Sequence, residues 1–61
     1  MKANVTIVSK KGIEEFATVR TPVRAMTNQA FVMEIVDRAL DRTGLTLRDV
    51  RDVRITSIVG D

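Results

Sequence analysis

Neither cysteine nor histidine occurs in the 61 residues of this chain, and that double absence constrains the fold more than any motif does. A chain this short buries only about 60% of the surface its unfolded form exposes, and a core of such size rarely supplies more than roughly 3–5 kcal/mol. Small domains commonly add disulfides or a structural metal. With no thiol or imidazole, both routes are closed. What remains is close packing or association with another chain. The missing cysteines also leave no sign of an oxidising compartment.

Hydrophobic residues make up 44% of the chain and charged residues 30%, the balance of a folded soluble domain rather than a disordered segment. One α+β domain over residues 1–61 is expected. The longest apolar run, Ala30-Phe31-Val32-Met33, falls far short of the roughly 20 residues that cross a bilayer. In "MKANVTIVSKK", Asn4 and Thr6 interrupt what would be an apolar signal region, so no cleaved secretory signal is predicted and a cytoplasmic location is the default.

Residues 3–9, "ANVTIVS", alternate and are rich in β-branched types, the pattern of a strand. "KKG" follows, where Gly12 can take the positive φ of a tight hairpin and the lysines keep its tip in water. Residues 13–21, "IEEFATVRT", return as a second strand that Pro22 brings to an end. One side of that strand carries Ile13, Glu15, Ala17 and Val19, the other Glu14, Phe16, Thr18 and Arg20. The alternation leaves open which side is buried. "TPVRAM" reads as a connection.

Thr27 or Asn28 can cap a helix in which apolar residues recur at 31, 32, 35, 36, 39 and 40, and Gly44 supplies its stop. Its outer side mixes signs, with Glu34 and Arg38 four residues apart. In "LTLRDV", Thr46 and Asp49 have capping-box spacing, and Leu45 and Val50 that of a hydrophobic staple. A short helical turn is predicted there. Then "VRITSIV", residues 53–59, alternates as a third strand.

The element order is thus ββαβ. It closes most simply as an antiparallel three-stranded sheet in order 2-1-3, with the helix on one face. The predicted core is Val5, Ile7, Val32, Ile35, Val36, Ala39, Leu40, Val53 and Ile55. Strict alternation puts Val8 and Ile58 on the sheet face away from the helix, together with Phe16 if its side of the second strand also points there. These three are the candidate protein interface; the exposed edges of strands two and three offer a further contact.

Catalysis finds few tools here, since His, Cys and Tyr are all absent and the two serines, Ser9 and Ser57, have no histidine to activate them. The carboxylate pairs Glu14-Glu15, Asp37 with Asp41 and Asp49 with Asp52 sit among cations, as on a solvated face. The glycines form no phosphate loop. No enzyme activity, cofactor, metal or small-molecule substrate is expected.

Ten cations stand against eight anions, a net charge of +2. They form no run beyond Lys10-Lys11, whereas affinity for nucleic acid comes from clustered cations. If residues 47–52 were helical, Arg48 and Arg51 would lie about 60° apart with Asp52 beside Arg48, a mixed surface. The sequence therefore points first to a small binding module working through protein contacts, by self-association or by regulating or inhibiting a larger protein. Small proteins of viruses and mobile elements share this profile. The alternative is a basic nucleic-acid-binding protein or transcriptional regulator, contacting phosphates through Lys10, Lys11, Arg20, Arg24, Arg51 and Arg54. A homodimer is expected, and no membrane partner.

Overall fold

The computed structural model describes residues 1–22 and 27–60. The order is β1 (Lys2–Ser9), β2 (Glu14–Arg20), α1 (Asn28–Thr43), a 3-10 turn (Leu47–Asp49) and β3 (Val50–Val59). The strands form one antiparallel sheet in order β2-β1-β3. Architecture and strand order agree with the sequence pattern.

Local chemistry sets the boundaries. Gly12 takes φ 83° in the β1–β2 turn, where its N–H and that of Ile13 bond to the Ser9 carbonyl and hydroxyl, at 2.9 and 3.2 Å. Thr27 caps α1, its hydroxyl accepting from the Ala30 N–H at 3.1 Å. Gly44, at φ 76°, ends the helix and donates to the Leu40 carbonyl. In the 3-10 turn the Asp49 carboxylate accepts from the Thr46 hydroxyl at 2.9 Å, while Leu45 and Val50 both pack against the core. The turn stops at Asp49 and β3 begins at Val50, three residues before the predicted strand. Arg51 thus lies in a strand and shares no helical surface with Arg48.

The core is thin. Ala3, Val5 and Ile7 of β1 and Ala17 and Val19 of β2 meet Ile35, Ala39 and Leu40 of α1. The largest fully buried side chains are only Ile7, Ile35 and Val5. Alanine at positions 3, 17 and 39 lets the helix lie close on the sheet, so that modest side chains fill the gap. The contacts of α1 fall mainly on β2 and less on β1. Two expectations are corrected or graded by that placement. Val32 is 46% exposed rather than core: it shares the side of the helix that carries Val36 and Leu40 but lies a turn or more nearer the N-terminus. Val36, Val53 and Ile55 are only partly buried, and no residue of β3 is fully so.

Two irregularities in the β1–β3 ladder, between Asn4 and Val5 and between Val8 and Ser9, leave Thr56 and Arg51 without register partners. Each adds a residue to β3 and resets its alternation. Ile55 pairs with Val5, but Ile58 pairs with Ala3, which is wholly buried on the helix side. Ile58 therefore lies on the helix side of the sheet, and the strict alternation that placed it on the other face fails at Thr56. A hydrogen-bonded row confirms the assignment: the Thr18 hydroxyl donates to Asn4 Oδ1 at 2.8 Å, and Asn4 Nδ2 donates to Ser57 Oγ at 2.9 Å. Ser57, next to Ile58, is thus on the bare face.

Candidate functional site

The two edges of the sheet end very differently. The Thr21 N–H donates to the Met1 carbonyl at 3.0 Å, so the odd residues of β1 exchange hydrogen bonds with β2 and the even ones with β3. The partners of the even residues are Asp52, Arg54, Ser57 and Val59, and these bond inward. By the same alternation Val53, Ile55 and Ile58 turn their N–H and C=O groups outward. Among the described residues no other strand lies beyond β3.

Beside that edge, on the helix side, lie the side chains of Val53 and Ile55, half-buried, and Ile58, 46% exposed. Since the contacts of α1 fall mainly on β2, this flank is only partly covered, with Val53 and Ile55 packed against the margin of the core. The flank thus joins unpaired backbone to apolar side chains, the combination to which a further strand adds.

The bare face has another character. Phe16 stands 76% exposed, paired with Thr6, itself paired with Arg54. Around it are the Thr18–Asn4–Ser57 row and an ion pair in which Arg54 Nε donates to the Asp52 carboxylate at 2.7 Å. Val8 belongs to this face but is only 7% exposed, between Glu14 and Asp52. Of the three residues expected to form one apolar surface, Phe16 and Val8 are diagonal neighbours on the bare face, the first exposed and the second covered, while Ile58 lies on the opposite side.

The cations also divide. Lys10 and Lys11 sit at the hairpin tip, in a cleft of about 300 Å³ that they share with Arg48, Asp49 and Glu15. One Glu15 oxygen there is buried without a hydrogen-bond partner. At the other end of β1, Lys2, Arg20, Arg38 and Arg42 line an open groove of about 590 Å³ in which, among the described residues, Asp41 is the only acid. Arg38 is held by Glu34 at 3.2 Å and donates from Nη1 to the Arg20 carbonyl at 2.8 Å. Arg51 and Arg54 lie on β3, and Arg24 lies outside the described residues. Of the predicted phosphate contacts among the described residues, only Arg20 belongs to the groove. Arg38 and Arg42 were missed because helix cations alternating with acids look neutralised until the fold sorts them by direction, and Lys2 because it is a lone cation at the start of β1.

No family model matches the chain, nor does any curated protein or solved structure. Among the described residues no helix is long and apolar enough to cross a membrane.

Proposed function

We propose that the chain is a small non-enzymatic module that binds protein through the outer edge of β3 and the apolar flank beside it, by self-association or by regulating a larger protein. One observation carries this reading: a ten-residue strand whose outer backbone groups have, among the described residues, no strand beyond them, with Val53, Ile55 and Ile58 alongside. An added strand would satisfy those groups and cover those side chains together. The lack of His, Cys and Tyr supports a binding rather than a catalytic role. A photo-crosslinking amino acid at position 58, compared with one at position 18 on the bare face, tests it in the native host. Nuclease-resistant protein adducts from position 58 alone are expected. Adducts from position 18 instead, or none from position 58, would count against it.

A second reading, nucleic-acid binding, is favoured by the groove of Lys2, Arg20, Arg38 and Arg42, with exposed Phe16 on the face that Lys2 and Arg20 share. Phosphates would follow the cations and a base would stack on the ring. Lys10 and Lys11, about 26 Å away along β1 at the usual strand rise, would contribute little to the same track. Retention on single-stranded DNA that falls steeply with salt, and is lost on Arg20→Glu with Arg42→Glu, would support it. Absence of retention at low salt would remove it.

A further inference from the structure

We infer that the strand seated on the edge of β3 is β3 of a second copy of this chain, running antiparallel about a two-fold axis at Val53. The inference rests on the protein-binding reading and names its partner. The irregularities at Arg51 and Thr56 bracket residues 52–55 as the regular part of β3. A two-fold axis perpendicular to the sheet must pass beside one residue that faces its own copy, because residues opposed across a ladder share a face. Four centres are thus available.

Centring on Asp52 sets two carboxylates against each other, and centring on Arg54 sets two guanidinium groups against each other, the like-charge oppositions that destabilise a sheet. Centring on Ile55 opposes Val53 to Ser57, across the irregularity at Thr56, where Ser57 bonds inward to β1. Centring on Val53 likewise opposes Ile55 to Arg51 across the other irregularity, but of the four centres it alone sets opposite charges against each other. Its N–H and C=O point outward, so the two valines exchange both hydrogen bonds. Its neighbours then form the closer, non-hydrogen-bonded pairs, with Asp52 of each copy facing Arg54 of the other. Within one chain these side chains already pair at 2.7 Å, while remaining 43% and 69% exposed, so they can extend to a four-charge cluster across the axis. On the other face the two valines meet, with each Ile55 diagonal to them. The same run carries exposed Ile58 and Val59 toward the second copy's 3-10 turn, where Leu47 is exposed.

The experiment is sedimentation equilibrium of the purified chain over a hundredfold concentration range, with the variants Asp52→Arg and Arg54→Asp alone and mixed. Both side chains are substantially exposed, and circular dichroism checks that each variant is folded. The wild type should reach twice the chain mass. Each variant alone should dissociate at least about tenfold more readily, since its symmetric pairs become repulsive. An equimolar mixture should recover the double mass, because Asp52→Arg offers two arginines where Arg54→Asp offers two aspartates. The pair within each chain is broken in both variants, so recovery on mixing reports contact between chains in this register. A wild type that stays monomeric overturns the inference, as do variants that dimerise unimpaired or a mixture that recovers nothing. A monomer that still gives protein adducts from position 58 would overturn the second copy while leaving the protein-binding reading intact.

Discussion

β2 and β3 are the two edges of one sheet, yet only one of them is guarded. β2 is seven residues long, ends before Pro22, lies under α1 and has its Arg20 carbonyl taken by Arg38. β3 is ten residues long, lies away from the main contacts of α1, which fall on β2, and by alternation turns the backbone of Val53, Ile55 and Ile58 toward an edge with no further strand among the described residues. Natural sheets protect edges by shortening, charging or covering them. This chain shortens and covers β2, whereas the middle of β3 carries only the exposed charges of Asp52 and Arg54 between its two irregularities. A single 16-residue helix cannot cover three strands, and its position over β2 decides which side stays open.

Core truncation should break the comparison most strongly. Leu40→Ala, in the packed half, should cost about 2–5 kcal/mol in denaturant unfolding, close to the whole stability of so small a chain. At concentrations where the chain is monomeric, Ile55→Ala on the open flank should cost about 1 kcal/mol. Equal losses would mean that the two halves are packed alike. Removing the cap should come next, with Thr27→Ala costing about 1 kcal/mol in the same assay because it frays the end of the helix that covers β2.

Arg38→Ala sharpens the point about guarding. Its effect on stability should be about 1 kcal/mol or less, but it frees the Arg20 carbonyl, and sedimentation should then detect species larger than a dimer as β2 also becomes an open edge. An unchanged mass distribution would show that Arg38 does not protect that edge. Phe16→Ser should change stability least, within about 0.5 kcal/mol, since the ring is mostly exposed. Retention on single-stranded DNA is its informative readout, and a loss there would favour the second reading.

The elements were legible because each has a local cause. Thr27, Gly44, Gly12 and Pro22 mark boundaries by backbone chemistry, and apolar periods of about four and of two residues separate helix from strand. The faces were legible only as far as the periods were regular. Nothing in "VRITSIV" requires the extra residue at Thr56, so a period of two carried Ile58 to the wrong side; the three-residue spacing of Ile55 and Ile58 is the one hint. Val32 shows a related limit, since helical spacing identifies an apolar stripe but not how far along the helix the sheet extends. The basic groove had no sequence signal at all. Lys2, Arg20, Arg38 and Arg42 come from three elements and meet only when β2 pairs with β1 beneath α1.

The open edge itself can be observed through amide hydrogen exchange, residue by residue, as protein concentration rises. The outward amides of Val53 and Ile55 should exchange rapidly in dilute solution and gain protection as concentration increases, while those of Phe16 and Thr18 on β2 stay unchanged. Protection at Val53 that does not vary with concentration, or that grows on β2 instead, would contradict the assignment of β3 as the edge where a second chain adds.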